Sequence, residues 1–529
     1  MTVIRNPILT GFHPDPSICR AGEDFYIANS TFEWFPGVQI HHSRDLVNWR
    51  LCRRPLRRPE QLDMVGNPCS GGVWAPCLSY ADGLFWLIYT DVKTLNGAYK
   101  DTPNYLVTAE DVEGEWSDPV YLNSSGFDPS LFHDDDGRKW LLNMVWDHRP
   151  GANRFWGILL QEYSHEKKAL LGEPRCIFRG TELGCTEGPH LYKRDGWYYL
   201  MTAEGGTGYN HAVTIARSRS VEGPYEVDPQ NPMLTSRGRP DLELQKAGHA
   251  SLVETPSGQW YLAHLCARPQ GEHRRCMLGR ETALQKVRWT DDGWLRLEAG
   301  GNAPQVEVPA PQLPEVLQPS EPERDDFDSP VLSPLWHTLR VPAEEHWCST
   351  TARPGYLRLF GRESLTSRHH QSLLARRVQH FECTASCLME FEPEHFGQMA
   401  GLVAFYNVEN WFYLHVTHDE KLGRVLRLGA NDNGKYTEPM EPITVGRRRT
   451  FLLGLSIADG KLRFAAGEKC DGDLGWLPEG PELDATQLSD EYVRGWGFTG
   501  AFIALCCQDL WKTLGAHADF DWFEYSAGR

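Results

Sequence analysis

The sequence of 529 residues predicts an all-β protein, with an N-terminal five-bladed β-propeller followed by a C-terminal β-sandwich. Two observations favour this architecture. A short turn-and-strand unit recurs through residues 1–302, and the residues beyond it carry alternating apolar runs without that repeat. The chain also exceeds the length at which a single hydrophobic core stops growing, so two domains are expected.

The repeated unit is a turn that contains glycine, followed by an aromatic strand of alternating polarity. Glycine at such a turn accepts the positive φ of a tight hairpin. A spacing of ~40–60 residues per unit is of the order expected for propeller blades. Five copies therefore predict five blades, closed so that few strand edges are exposed. The turn glycines are Gly22, Gly83, Gly137, Gly196 and Gly258.

Domain boundaries follow from where this repeat stops. It ends near Trp294, and an acidic, proline-rich stretch without periodicity comes next. We therefore expect a propeller over residues 1–302, a linker over 303–324 and a sandwich over 325–529. The sandwich is predicted from short alternating runs, such as those that begin at Tyr356, Phe412 and Phe451.

Composition restricts the class of partner. Lysine and arginine total 53 against 71 aspartates and glutamates, and the resulting net charge of −18 disfavours nucleic acid and anionic membranes. The start of the chain shows no basic stretch before an apolar run, and the 14 cysteines lack metal-ligand spacing, so we expect a cytoplasmic protein with buried thiols. Many aromatic residues suit a substrate with apolar faces such as a sugar, although aromatic residues also fill β-rich cores.

The repeat itself predicts a site, because equivalent positions on the innermost strands of a propeller converge at one mouth of the central axis. In units two to five the equivalent position lies nine residues before the turn glycine. In the first unit, whose hairpin is shorter, it lies seven residues before Gly22. The five positions are Asp15, Trp74, Asp128, Glu187 and His249.

Three carboxylates beside an imidazole indicate acid/base chemistry. Like charges held together disfavour simultaneous ionisation, so one carboxylic acid can keep its proton while another remains a base. Cleavage of a glycosidic bond needs that division, and an inverting enzyme separates the two groups by ~6.5–9.5 Å to admit water. Taken singly, each acid fits a turn or cap residue and His249 fits a core histidine. Their shared register favours the site.

Seven short segments resemble glycoside hydrolase family 43, specifically its two-domain β-xylosidases. The resemblance runs along nearly the whole chain, and the order and spacing of the segments make it specific. It implies an exo-acting, inverting 1,4-β-xylosidase that removes xylose from the non-reducing end of xylobiose and short xylo-oligosaccharides. It also implies that the sandwich is a concanavalin or lectin-like jelly roll. The segments are residues 6–17, 30–37, 73–76, 143–147, 186–190, 206–211 and 279–282.

Roles for individual residues follow from the same resemblance. Asp15 is similar to the general base that activates water, and Glu187 to the general acid. Asp128 is similar to a third carboxylate that orients the acid and modulates its pKa. Arg280 resembles an arginine that donates to sugar hydroxyls near the cleaved bond, with a surface arginine as the alternative. The other implied substrate-binding residues, with core packing as their alternative, are Phe32, Trp74, Trp146 and His249.

The resemblance also has implications for cofactors, partners and the closing of the pocket. We expect no required cofactor, but some members of the family use a divalent cation, so Ca²⁺ near His249 stands beside a plain hydrogen-bonding role. Relatives are often dimers or tetramers, which suggests a homo-oligomer. The accessory sandwich of the family lends a loop to close the pocket, and candidate lid residues are those at 508–511 and Lys512.

Three other functions remain open from the sequence. An α-L-arabinofuranosidase, or a bifunctional enzyme, is the nearest, because the two pentoses present similar hydroxyl geometry. A non-catalytic carbohydrate-binding protein is another, since both folds also host lectins, although a lectin needs no acid at Glu187. A scaffold for protein partners is disfavoured because the predicted mouth is charged rather than broadly apolar.

Overall fold

In the computed structural model, the described residues are 2–470, 473–476, 480–511 and 515–528, and side chains are described outside 468–479. The regular structure of this part is β-strand apart from one 3₁₀ turn, Ala485–Gln487, which confirms the all-β prediction. The chain divides into two compact units. The first comprises Met1–Glu33, Gly37–Arg268 and Arg280–Pro319, and the second comprises Trp34–Pro36, Pro269–Gly279 and Ser320–Arg529.

The first unit contains five antiparallel sheets of four or five strands, one for each predicted repeat, and this confirms the five-bladed propeller. All five turn glycines have φ between 65° and 86° and join the first two strands of their blade, as the hairpin prediction requires. The strands are Ser17–Ala21, Asp24–Asn29, Gln39–Ser43 and Arg50–Arg53 in blade 1; Gly72–Ala81, Leu84–Val92, Asn104–Ala109 and Val120–Asn123 in blade 2; Ser130–His133, Lys139–Trp146, Phe155–Ser164 and Ala169–Phe178 in blade 3; Glu187–Arg194, Trp197–Glu204, Ala212–Ser218, Glu226–Val227 and Leu234–Thr235 in blade 4; and Gln245–Glu254, Trp260–Ala267, Glu281–Trp289 and Leu295–Leu297 in blade 5.

Side-chain hydroxyls connect the innermost strands of neighbouring blades. Ser17 Oγ accepts a hydrogen bond from the backbone N–H of Leu78 at 3.0 Å. Ser251 Oγ accepts from the N–H of Ile18 at 2.9 Å and donates to the carbonyl of Pro16 at 2.9 Å. These bonds satisfy backbone groups of the inner strands and the carbonyl of Pro16, and they hold neighbouring inner strands together.

The stretch predicted as a linker differs from that expectation. Residues up to Pro319 belong to the first unit, and within them the strand Glu307–Pro309 pairs with Val3–Arg5. Val308 is buried in the same hydrophobic cluster as Ile4. Apolar residues alternate here between the prolines, and that alternation lets a short edge strand form despite the proline content.

The second unit is a sandwich of two nine-stranded antiparallel sheets around one continuous apolar core. In one sheet the strands are Arg324–Asp325, Cys348–Ser349, Leu357–Phe360, Cys383–Glu390, Thr450–Ala458, Lys461–Cys470, Asp473–Trp476, Leu483–Asp484 and His517–Ala527. In the other they are Trp34–Phe35, His337–Leu339, Ser372–Arg377, Gln398–Asn407, Asn410–Asp419, Gly423–Asp432, Lys435–Thr437, Ile443–Thr444 and Phe502–Asp509.

Two segments that precede residue 302 belong to this second unit. The strand Trp34–Phe35 pairs with His337–Leu339, and the buried Trp34 ring stacks on Phe502 with 3.8 Å between centroids. In Pro269–Gly279, the backbone N–H of Cys276 donates to Glu491 Oε2 at 2.7 Å. The boundary expected at residue 302 assigns both segments to the propeller, whereas they belong to the second unit. The repeat is a pattern along the sequence, and it does not show in which unit a segment between two repeated strands packs.

In the described part of the chain, no helix has the length and apolar character needed to cross a membrane.

Candidate active site

The start of each inner strand in the first unit carries a left-handed residue. Asp15, Asp128 and His249 have φ of 52°, 55° and 45°. In blades 2 and 4 the left-handed residue comes one position later, at Ala75 and Gly188, with φ of 26° and 55°. The register predicted from the repeat is therefore correct to within one residue, and it brings the predicted side chains to one end of the propeller.

Asp15 is held as a carboxylate by two donors. Ser30 Oγ donates to its Oδ2 at 2.6 Å, and Arg280 Nη1 donates to its Oδ1 at 3.1 Å. Only 6% of Asp15 is exposed. Burial opposes ionisation, but the charges of Arg280 and His249 and the hydroxyl of Ser30 together hold the pKa of Asp15 below its usual value. Asp15 is therefore a base at neutral pH.

The pKa values of Glu187 and Asp128 are shifted in the opposite direction, upward. Burial is the largest cause that raises the pKa of Glu187, and repulsion from Asp128 and Asp15 adds to it. Burial and repulsion from Asp15 likewise raise the pKa of Asp128, although its Oδ2 accepts a hydrogen bond from the N–H of Gly188 at 3.1 Å. With Asp15 ionised, burial and repulsion both favour the protonated form of this pair of buried carboxyl groups.

His249 packs directly against the strand that carries the acid. A Cβ on Gly188 would lie 2.8 Å from Cε1 of the His249 ring, so glycine is required beside Glu187. Burial lowers the pKa of His249, which favours the neutral imidazole. The position of His249 next to Gly188 supports its predicted place at the mouth of the propeller. It does not support the alternative of an isolated core histidine.

Arg280 is a buried residue, not a surface arginine. Only 3% of it is exposed, and its Nη1 donates to both Asp15 and Thr207, the latter at 2.8 Å. Its guanidinium carbon lies 5.4 Å from the centroid of the Phe32 ring. Thr207 was not predicted individually, although it lies inside the segment 206–211 that carries the resemblance.

The predicted aromatic walls form a connected cluster. Ring centroids lie 6.1 Å apart for Phe32 and Trp74, 5.1 Å for Trp74 and Phe127, and 6.3 Å for Phe127 and Trp146. Both indole N–H groups donate to backbone carbonyls, Trp74 to Ser70 at 2.8 Å and Trp146 to Ala98 at 2.9 Å. These bonds fix the ring planes.

One cation near these walls was missed by the sequence reasoning. Lys100 Nζ lies 4.7 Å from the centroid of the Trp146 ring and 5.9 Å from that of Trp74. Burial lowers its pKa. Lys100 belongs to a loop outside the repeat, and therefore no alignment of the five units could identify it.

The candidate lid residues belong to the second unit. Gln508 is buried, and its Oε1 accepts from the N–H of Leu365 at 3.1 Å. Trp511 is half-exposed and packs on His395 with 3.5 Å between ring centroids. Lys512 lies outside the described residues. The lid role stays a prediction.

The chemistry of the first unit follows from this division of charge. The surroundings favour an ionised Asp15 and a protonated group in the pair Glu187 and Asp128, an arrangement that could supply a base and an acid within one buried, aromatic-walled site. Proton donation to a leaving oxygen together with activation of water is what hydrolysis of a glycosidic bond requires. Fold and site therefore define the class of protein as a glycoside hydrolase.

Comparison with known proteins identifies the particular family. Residues 4–295 match the model of Glycosyl hydrolases family 43, and residues 324–526 match the Beta xylosidase C-terminal Concanavalin A-like domain. The chain belongs to glycosyl hydrolases family 43. The concanavalin-like character expected of the sandwich is thereby confirmed.

Three relatives are similar along the whole chain. The Beta-xylosidase of Bacillus subtilis (strain 168) is 53% identical, with 99% of each chain covered. The Xylosidase/arabinosidase 43B of Humicola insolens is 50% identical and covers 99% of this chain and 98% of its own. The crystal structure of xylan beta-1,4-xylosidase from Bacillus Halodurans C-125 is 57% identical, with a TM-score of 0.97, and covers 99% of this chain and 100% of its own.

The contact between Ser30 and Asp15 predicts a change in pH dependence. Replacing Ser30 with alanine removes a donor that stabilises the charged form of Asp15, so the pKa of Asp15 rises. If Asp15 is the catalytic base, it must be ionised, so the acid limb of kcat/KM should move to higher pH in Ser30→Ala. A pH–rate profile measures this shift. As a control, Ser79→Ala alters a hydroxyl that contacts His133 instead. An unmoved acid limb in Ser30→Ala would contradict the role of this hydrogen bond.

Proposed function

We propose that this protein is an exo-acting, inverting 1,4-β-xylosidase that releases xylose from the non-reducing end of xylobiose and short xylo-oligosaccharides. The observation that carries the proposal is the unequal surroundings of three buried carboxyl groups. Ser30 and Arg280 donate hydrogen bonds to Asp15 and lower its pKa, whereas burial and repulsion raise the pKa values of Glu187 and Asp128. Membership of the family and relatives named for β-xylosidase activity support the choice of xylose.

The reaction divides between Asp15 and Glu187. The Asp15 carboxylate takes a proton from a water molecule as the water oxygen attacks the anomeric carbon. Glu187 gives its proton to the glycosidic oxygen as the bond from carbon to oxygen breaks. The sugar leaves with inverted configuration, Asp15 is protonated and Glu187 is ionised. Exchange of protons with solvent restores both groups.

Asp128 and Arg280 set the conditions for that division. Asp128 Oδ2 accepts a hydrogen bond from the backbone N–H of Gly188, the residue that follows the proposed acid Glu187. The carboxyl group of Asp128 also disfavours ionisation of Glu187. Arg280 stabilises the charge on Asp15 and carries further N–H groups that suit sugar hydroxyls. The rings of Phe32 and Trp74 offer apolar surface to a pentose.

Hydrolysis of xylobiose, followed by NMR of the newly formed anomer, tests the assignment of base and acid. Wild type should release α-xylose first. Asp15→Asn and Glu187→Gln should each lose at least ~10²-fold in kcat, because each lacks one proton-transfer group. Asp136→Asn, in an exposed turn, is the matched control and should retain activity. Release of β-xylose would contradict inversion, and a wild type that binds xylobiose without cleaving it would favour the carbohydrate-binding alternative.

An α-L-arabinofuranosidase activity is the second candidate. The observation that favours it is the name of the Humicola insolens relative, which joins xylosidase and arabinosidase. We expect a higher kcat/KM for the aryl β-xyloside than for the aryl α-L-arabinofuranoside, measured at one pH with the same aryl group. The opposite order would make the arabinofuranosidase the principal activity.

The sequence leaves two possibilities at His249, a nearby Ca²⁺ or a plain hydrogen-bonding role, and we propose the second. Within the described ranges, no group of three or more His, Cys, Asp or Glu side chains is arranged to hold a metal ion. A hard cation prefers several oxygen ligands, so the side chains around His249 do not fit a direct calcium cage. We expect full activity after exhaustive chelation. Loss of activity that added Ca²⁺ restores would show that a cation is required.

Location and assembly are the remaining parts of the proposal. We place the enzyme in the cytoplasm, and the support is that Cys77 and Cys387 are buried thiols, whose pKa values burial raises. The net charge of −18 supports a neutral oligosaccharide rather than nucleic acid or an anionic membrane as partner. The homo-oligomer stays a prediction.

A further inference from the structure

A buried carboxylate outside the predicted site lies at the end of the strand Trp197–Glu204. Glu204 is 0% exposed, and its carboxylate accepts four hydrogen bonds, all from neutral donors. Burying a carboxylate is costly unless its lone pairs are satisfied, so this network is a demanding arrangement. The donors are Thr181 N at 2.7 Å and Thr186 Oγ1 at 2.7 Å to Oε1, and Thr181 Oγ1 at 2.5 Å and Thr214 Oγ1 at 2.6 Å to Oε2.

Three of these four bonds hold the segment that leads into Glu187. Thr186 directly precedes the proposed acid, and Thr181 lies five residues earlier. Gly180 has φ of +83°, and a Cβ there would lie 1.8 Å from Thr186 Oγ1. The segment therefore folds back closely on the hydroxyl that Glu204 binds, and Glu204 fixes both its beginning and its end.

The loop that follows Glu204 leads to the proposed base. The N–H of Gly205 donates to the carbonyl of Gly184 at 2.7 Å, which ties this loop to the acid segment. Two residues later, Thr207 contacts Arg280, which in turn donates to Asp15. Hydrogen bonds thus join the end of this strand at Glu204 to the segment that precedes Glu187. Glu204 also lies just before Thr207, which contacts Arg280, the residue that donates to Asp15.

We infer that Glu204 is a positioning residue that holds Glu187 at the leaving-group oxygen, acting through the hydroxyl of Thr186. The inference rests on the proposed role of Glu187 as general acid. Glu204 reaches the reaction only through this hydroxyl and the backbone that follows it. A small displacement of a proton donor is enough to slow catalysis, since a 1 Å misplacement can cost about 10²-fold.

Thr186 and Thr214 form a matched pair for testing this role. Each is buried and donates one hydroxyl hydrogen bond to the same carboxylate, at 2.7 Å and 2.6 Å. Only Thr186 adjoins Glu187, whereas Thr214 lies in the neighbouring strand Ala212–Ser218. Replacing either with valine leaves the carboxylate one donor short, and Thr214→Val also removes the acceptor of Asn231 Nδ2 at 3.0 Å. A purely structural role therefore predicts an effect of Thr214→Val on catalysis at least as large as that of Thr186→Val.

The experiment compares wild type, Thr186→Val, Thr214→Val and Thr186→Ser on xylobiose and on 4-nitrophenyl β-xyloside. The sugar leaving group of xylobiose needs protonation by the acid, whereas 4-nitrophenolate leaves with little assistance. Thr186→Val should lose about tenfold or more in kcat/KM on xylobiose and less than about threefold on the aryl xyloside. Thr214→Val should keep the wild-type ratio of the two values, and Thr186→Ser, which retains the hydroxyl, should do the same.

Equal losses on both substrates for Thr186→Val and Thr214→Val, or a wild-type ratio in Thr186→Val, would overturn the positioning role. If Thr186→Val does not fold, Thr186→Ala takes its place with the same expected change in ratio. Wild type cleaving neither substrate would instead refute the proposed function, and the inference would fall with it. Turnover by wild type therefore separates the two failures.

Discussion

Burial of several carboxyl groups beside the guanidinium of Arg280 is the constraint on which the site depends. Two unit charges 4 Å apart interact by about 4 kcal/mol at an effective dielectric constant of ~20. A contact of this size can offset the burial of one carboxylate, and Asp15 is the one that Arg280 contacts, at 3.1 Å. The charge of Arg280 acts more weakly on Glu187 and Asp128, and these two carboxyl groups repel each other. The carboxylate that receives the guanidinium is therefore the one that we propose as the base.

The sequence could predict the parts of the molecule that repeat. Turn glycines such as Gly83 recur because each blade needs the same left-handed turn, and a position counted from them returns to the same place at the axis. That reasoning found Asp128 and His249 without reference to any relative. It could not assign separate roles to Asp15 and Glu187, because a repeat alignment treats equivalent positions alike. The roles proposed for them rest on unequal neighbours, namely Arg280 beside Asp15 and Asp128 beside Glu187.

Features that depend on contacts between distant, unrepeated segments were not predictable in this way. Trp34 lies within the sequence of blade 1 but pairs with a strand some 300 residues later, and no local pattern indicates that choice. Ser30 and Glu204 are likewise ordinary polar residues in sequence. Their importance appears only when the donors and acceptors around them are counted, because a buried polar group must find its partners wherever the fold brings them.

The proposed base and acid also differ in the backbone conformation at their positions near the axis. Aspartate and histidine tolerate positive φ better than most residues, and Asp15, Asp128 and His249 adopt it themselves. In blade 4 the left-handed position belongs to Gly188, so the acidic residue lies one position earlier, on the strand, and carries the longer side chain of glutamate. The packing of the His249 ring against Gly188 then forbids a side chain at that position. The proposed base and acid therefore differ in backbone conformation as well as in the charges that surround them.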